Sequence, residues 1–488
     1  MTVIGMVQKM VLGGLVAVIL MAGAGRSLAE AKKVEAGTIS ALMLSDLHFD
    51  PFHDPAKARQ LVEGPEGEWN TILAGDASED QAEAFRRLQK TCGARGVDTS
   101  YALLRSSLGA MKADAPEAKF ALVSGDLVVH GFDCRWKTLL PGRSDAEYAA
   151  FVAKTVRYVV GQVRLSLAGM PVYVALGNND SGCGDYELNP GDEFLVATKD
   201  AMVDGLSSAE EQTAALKSYA ASGDYSVRMR GAMRGTRLIV LDDLFQSRRY
   251  TACEKKPDEA ATAAQITWLR EELAEARAAK EKVWVMGHIP PGIDPFSTFS
   301  KFKDVCAGED PVMFLANERL ADVMGEYADV IRLGVFGHTH MDEMRLFGQD
   351  GAAAGKKVAI KMVGSISPVD GNNPSFTVAR VNPATAQLVD YEVIAASNKT
   401  GVDTVWAKEY AYGETFHEAV FSPDAVGKVL EKFEADPGAG SLMSQAYLTN
   451  YFVGDKSLLL KSLWPNYVCA MANHAQKGFA ACVCGTGK

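Results

Sequence analysis

The sequence predicts an α/β fold with mixed strand pairing (an α/β core shading into α+β), followed by a helical subdomain. Two observations predict it. Apolar runs of strand length recur along the chain, and each ends in a polar turn containing Gly, Asp, Asn or His. Helical patterns separate the early runs, whereas the late ones follow one another directly. Strands alternating with helices imply parallel pairing, and consecutive strands imply antiparallel additions to it.

The elements follow in order. "ISALMLSD" begins at Ile39, "KFALVSGD" at Lys119 and "PVYVALGN" at Pro171. "TRLIVLDD" begins at Thr236, "KVWVMGH" at Lys282 and "VIRLGVFGH" at Val330. Between them lie helical stretches such as "AEYAAFVAKTVRYVVGQVRLSL" and "AAQITWLREELAEARAAK"; in the second, Ile266, Leu269 and Leu273 recur at helical spacing and face a core. After "GHTH" come "KKVAIKMVG", "PSFTVARVN" and "AQLVDYEVI", three β segments without helices between them. Residues 51–80 and 190–222 lack a strand pattern and read as insertions. From residue 398 the composition turns helical, so 37–397 is read as the core domain and 398–488 as a C-terminal helical subdomain.

The N-terminus has a different character. Lys9 precedes an apolar run from Met10 to Ala22 and then small residues, the layout of a cleavable secretory signal over residues 1–29. That predicts a periplasmic or secreted protein. Eight cysteines, even in number and scattered, fit disulfides in an oxidising compartment, without fixing their connectivity. Without Lys9 and Arg26, 48 basic face 61 acidic side chains, a net charge of −13. A chain this acidic has no global field for nucleic acid, so a phosphate site must be local.

Five short motifs supply such a site. "SDLHFD" offers Asp46 and His48, and "SGDLVVHG" offers Asp126 and His130. "LGNND" offers Asn178, "MGHIPPG" His288, and "FGHTH" His338 and His340. Five of the chain's eight histidines fall in these motifs, all at strand ends beside Gly or Asp, which ordinary surface or core histidines do not do. Imidazole with carboxylate suits zinc, iron or manganese rather than calcium. A carboxylate such as Asp126 on a strand-end turn can bridge two ions, and a pair of divalent ions can grip a phosphoryl group and activate water.

These motifs, in this order, resemble the calcineurin-like metallophosphoesterase superfamily. "SDLHFDPFHDP", the position of His130 four residues after Asp126, "GHIPPG" and the C-terminal "YLTNYFVGDKSLLLKSLWPNYVCAMAN" are similar to the acid sphingomyelinase-like phosphodiesterases. The resemblance implies a four-layer α/β/β/α sandwich and a sphingomyelinase-type helical C-terminal domain. It implies two divalent ions, zinc first, with iron or manganese as alternatives. Asp46, His48 and His340 would hold one, Asn178, His288 and His338 the other, with Asp126 between them and a bridging hydroxide attacking phosphorus. The implied substrate is a phosphodiester, either a phospholipid head group such as that of sphingomyelin or a nucleotide-like ester, with transient contact to a membrane surface allowed. A phosphomonoesterase or phosphoanhydride hydrolase on the same ions is the rival enzyme, and a non-catalytic metal- and phosphate-binding protein the rival of another class.

One position departs from the family. The residue after the ligand Asn is typically a histidine that protonates the leaving group, and here it is Asn179. An amide donates hydrogen bonds but cannot act as a general acid near neutral pH. Three readings stay open: His130 takes the role, the leaving group needs no proton, or catalysis is lost while binding remains. His130 and Asn179 are therefore the two candidate catalytic positions beside the metal ligands. Elsewhere, His53 and Asp54 read as a turn or cleft edge, Asp242 and Asp243 as a strand cap near substrate, and "GSISPVDGNNPSF" as a loop over the pocket.

Overall fold

The computed structural model describes residues 37–167, 169–203, 205–206, 208–348, 357–454 and 458–485. The signal-peptide reading of residues 1–29 lies outside the described residues. Among those described, the strands in chain order are β1 (Ile39–Leu44), β2 (Ala118–Ser124), β3 (Val172–Ala175), β4 (Tyr225–Arg228), β5 (Thr236–Val240) and β6 (Lys282–Met286). They continue with β7 (Ile331–Phe336), β8 (Glu343–Gly348), β9 (Lys357–Met362), β10 (Ser375–Asn382), β11 (Gln387–Ala396) and β12 (Trp406–Ala411).

They form two six-stranded sheets, ordered β12-β11-β10-β1-β2-β3 and β4-β5-β6-β7-β9-β8. In the first, β1, β2 and β3 are parallel and β10, β11 and β12 add on antiparallel. In the second, β5, β6, β7 and β9 are parallel, with antiparallel edges β4 and β8. This is the mixed α/β arrangement that the sequence predicts.

The sheets pack face to face. The Trp284 ring on β6 lies 5.9 Å from Phe120 on β2, and its indole N–H donates to the Ala386 carbonyl at 2.7 Å. Tyr225 on β4 donates to the Val174 carbonyl on β3 at 2.9 Å and accepts its N–H at 3.0 Å. Helices cover the outer faces. Helix Asp145–Ser166 starts with a capping box between Ser144 and Glu147 and buries Val152, Val156, Val159 and Val163, one stripe at helical spacing. Helix Glu259–Ala278 buries Leu269 and Leu273 as expected, while Ile266 is only partly buried against the core.

Three strands escaped the sequence reading, for one reason. β4 and β8 are sheet edges with charged residues, and β8 buries the Glu343–Arg345 pair at 3.0 Å, which breaks its apolar pattern. β12, "WAKEYA", is also an edge, with Lys408 and Glu409 exposed. Edge strands carry charge because their outer backbone groups must not recruit another strand. The helical stretch expected from residue 398 accordingly begins at Tyr412, after β12. Its helices Pro423–Glu434 and Trp464–Ala472 pack on β8, with Phe433, Tyr447 and Trp464 in ring contact at 4.9 to 5.6 Å. The insertions at 51–80 and 190–222 are largely helical.

All eight cysteines are paired, Cys92 with Cys134, Cys183 with Cys253, Cys306 with Cys484 and Cys469 with Cys482. Complete pairing fits an oxidising compartment outside the cytoplasm. Among the described residues no helix is long and apolar enough to cross a membrane.

Candidate metal centre

The strands that precede the five motifs, β1, β2, β3, β6 and β7, run parallel within their sheets, so their C-terminal ends gather along one edge of the sandwich. The chain turns sharply there. Asp46, His48, Asp126, His338 and His340 all have positive φ, between 41° and 73°. Left-handed backbone is uncommon outside glycine and is kept only where the surrounding structure enforces it. Two glycines give the turns room. A Cβ on Gly177 would lie 2.2 Å from Asp126 Oδ1, and one on Gly337 would lie 1.8 Å from Ser45 Oγ.

The side chains converge. His48 Nε2 lies 3.1 Å from His340 Nε2, 3.7 Å from Asp46 Oδ1 and 3.4 Å from Asp126 Oδ2. His288 Nε2 lies 3.2 Å from both Asp126 Oδ2 and Asn178 Oδ1. Asp126 therefore stands between a group formed by Asp46, His48 and His340 and one formed by His288 and Asn178. The His338 ring is 5.2 Å from that of His288, beside the second group.

The donor chemistry fits divalent ions. His48 Nδ1 donates to the Val128 carbonyl at 3.0 Å and His288 Nδ1 to the Ser124 carbonyl at 2.8 Å. Each bond commits Nδ1 and leaves Nε2 facing the centre. Asn178 Nδ2 donates to Asp185 at 2.7 Å, which turns its Oδ1 inward. Asp243 accepts the N–H groups of His288 and Ile289, both at 2.9 Å, and Asp180 accepts those of Leu127, Val128 and Gly177. Asp180 and Asp243 thus hold the ligand turns from behind. His53 instead packs on Phe85 and Asp54 accepts from Ser78, so both belong to the fold.

Electrostatics agrees. Burial opposes charge on Asp46 and Asp126, yet the surrounding histidines hold both carboxyls well below the ordinary range. Burial likewise disfavours the imidazolium of His48 and His288, but Asp126 and Asp46 outweigh it and raise them to about 9 and about 10, so an ion binding at either Nε2 would displace a proton. His338 and His340 are pushed by burial to about 3 and about 4, so they stay neutral and able to coordinate.

Asn179 is not aimed at the cleft. Its backbone N–H donates to Asp126 Oδ1 at 2.9 Å and its side-chain Nδ2 to Oδ2 at 2.8 Å. It grips the central carboxylate and does not line the cleft. His130 does face the cleft, with 28% of its side chain exposed. It stacks on His48 at 3.8 Å, and one ring nitrogen lies within 4.8 Å of donors on His48 and His340. Its Nδ1 lies 3.1 Å from the buried carboxylate of Asp98, which also accepts the Ser367 hydroxyl at 2.8 Å. Burial opposes the charge on Asp98, but His130 keeps its carboxyl ionised.

The centre opens into a cleft of about 570 Å³. Its mouth carries Arg95, Arg248 and Arg249, facing Asp370, Asp294 and Asp185 at 3.6, 3.7 and 3.3 Å. Arg249 also lies 3.9 Å over the Tyr186 ring. Asp370 comes from "GSISPVDGNNPSF", the loop expected over the pocket. Sequence reasoning missed Asp98, Asp185 and Arg249. Asp185 alone had a local signal, seven residues after Asn178.

A buried cluster of imidazole and carboxylate groups on a two-sheet sandwich points to a class, and comparison with known proteins supplies it. Residues 39–342 match the family model of calcineurin-like phosphoesterases, and the chain belongs to that family. It is a metal-dependent phosphoric ester hydrolase. It is 26% identical over 461 residues to the mouse acid sphingomyelinase-like phosphodiesterase 3b, across 91% of this chain and 90% of the relative. It is 24% identical to sphingomyelinase phosphodiesterase C of Dictyostelium discoideum, across 67% and 69%. It is 23% identical to human cyclic GMP-AMP phosphodiesterase SMPDL3A, across 79% and 80%.

Proposed function

We propose that the protein is an exported phosphodiesterase in which His130, not the residue after Asn178, protonates the leaving group. Asp46, His48 and His340 would hold one divalent ion, and Asn178, His288 and His338 the other, with Asp126 beside both. Zinc is the first choice for an imidazole-rich set, with iron or manganese as alternatives. Ions bound there supply Lewis-acid charge to the phosphoryl group and lower the pKa of water. The chain's own residues do the rest. Asn179 fixes both oxygens of Asp126. Asp98 holds His130 Nδ1, leaving Nε2 to carry a proton toward the departing oxygen.

The observation that carries this reading is the Asp98–His130 pair at the wall of the metal cleft. A phosphodiester leaves an alkoxide, which needs a proton, and this pair supplies one where Asn179 cannot. The substrate is a phospholipid head group or nucleotide-like diester, as the relatives' names indicate for those proteins. The N-terminal signal pattern and four disulfides support export.

The test is hydrolysis of bis(p-nitrophenyl) phosphate by zinc-loaded protein, with Asp126→Ala as control. Turnover that the control lacks is expected. Bound metal without turnover would refute the enzyme and favour a phosphate-binding role.

A further inference from the structure

Tyr186 stands on the turn "CGDYEL", a few residues after Asn178. Its backbone is left-handed, φ 62°, as it is at Asp46, His48, Asp126, His338 and His340. For a large ring that conformation is an outlier, and it persists only where the surroundings impose it. Three ties impose it here. Tyr186 N–H donates to the Asn178 carbonyl at 3.0 Å, and the Tyr186 carbonyl accepts the Thr251 N–H at 3.1 Å. The Cys183–Cys253 disulfide joins the two segments that meet in those bonds.

The ring is clamped as firmly as the backbone. It is 6% exposed and lines the metal cleft. It stands edge-on to His338, with 88° between the planes and 6.4 Å between centroids. The Arg249 guanidinium covers its face and pairs with Asp185, the carboxylate that orients Asn178.

The hydroxyl is what packing does not explain. Arg249 reaches the phenolic oxygen as well as the ring. A guanidinium can only donate, so that contact occupies the oxygen and leaves the O–H proton for another acceptor. Among the described residues the one group within reach is His338 Nε2, at 3.5 Å. A hydroxyl bonds well at about 2.8 Å, so this contact is loose. A buried phenol ordinarily takes a close partner, and a ring that only filled space would be served by phenylalanine. Tyr186 thus holds a donor at the cleft with no good acceptor in the protein.

The missing acceptor follows from the neighbours. Arg249 adds positive charge beside the hydroxyl, which favours an anionic oxygen. An oxygen sharing an ion with His338 would lie next to that nitrogen, and so next to the phenol. We propose that the Tyr186 hydroxyl, backed by Arg249, donates a hydrogen bond to a phosphoryl oxygen of the substrate. His130 serves the oxygen that leaves, and Tyr186 one that stays on phosphorus. The identity of the phosphoryl group rests on the phosphodiesterase reading, whereas the contact itself is measured without turnover.

The experiment is calorimetric titration of inorganic phosphate into zinc-loaded protein freed of excess zinc, with zinc content read by elemental analysis. Tyr186→Phe removes one oxygen and keeps the ring under Arg249, so its thermal unfolding midpoint should match that of wild type. The variant is expected to bind phosphate at least about tenfold more weakly at unchanged zinc content. Equal phosphate affinity in the two proteins would overturn the proposal, as would absence of wild-type binding. Loss of zinc from the variant would assign the hydroxyl to His338 and overturn it too. Weaker phosphate binding by the variant, with no hydrolysis of bis(p-nitrophenyl) phosphate by wild type, would refute the phosphodiesterase and leave the contact standing.

Discussion

Removing the His130 imidazole should slow the enzyme according to what leaves. General acid catalysis is worth about 10²–10⁴-fold, or about 2.7 to 5.5 kcal/mol of transition-state stabilisation. All of that is at stake for an alkyl phosphodiester and little of it for a nitrophenyl one, whose oxygen departs without a proton. His130→Ala should therefore lower kcat on an alkyl diester by at least about a hundredfold, and on bis(p-nitrophenyl) phosphate only a few-fold. Asp98 gives a graded version. Its carboxylate accepts from the His130 ring at 3.1 Å, the His130 backbone N–H at 3.3 Å and Ser367 at 2.8 Å. Asp98→Asn keeps the shape but loses charge-assisted bonds worth about 1.5–3 kcal/mol, so the same selective slowing should appear at about ten- to a hundredfold. The assay is kcat against a series of leaving groups, with metal content measured in each variant. Equal slowing across the series at unchanged metal content would refute His130 as the acid.

Two other residues make separate predictions. Asp185→Ala frees the Asn178 amide that it now orients, and should weaken metal retention by about 10–100-fold on dialysis against a chelator, read by elemental analysis. Asp224 is pushed by burial from 3.8 to about 7, so the folded state binds its proton more tightly than the unfolded one does. Its destabilising contribution then grows as pH rises from about 4 to 7 and reaches about 4 kcal/mol at most. Asp224→Asn should raise the unfolding midpoint at pH 8 and change it little near pH 4, and a uniform gain at both would contradict the assignment.

The turns that converge on the centre were legible because each joins an apolar strand to a turn whose residues have no structural use as an exposed cluster. His48, His288 and His340 meet because parallel strands place their ends together, which the alternation of strands and helices already implies. The partners of these residues were not legible. Asp98 lies in an irregular loop 32 residues before His130, and closure of the fold alone brings the two together. Asn179 was legible as an anomaly but not as a clamp, since its hold on Asp126 depends on how two turns from neighbouring strands approach. β4, β8 and β12 were hidden because edge strands exchange apolar pattern for charge.

The bond between Cys306 and Cys484 spans 178 residues. Cys306 follows shortly after Pro295, Phe296 and Ser297, which line the cleft, and Cys484 lies on the helix Gln476–Gly485. As the chain is made, that side of the entrance stays untethered until residue 484 has appeared and the two thiols have been oxidised. The turns that converge on the centre all precede residue 341, whereas the bond that fastens the cleft mouth needs residue 484. Synthesis thus supplies the residues of the centre before the bond that secures its entrance.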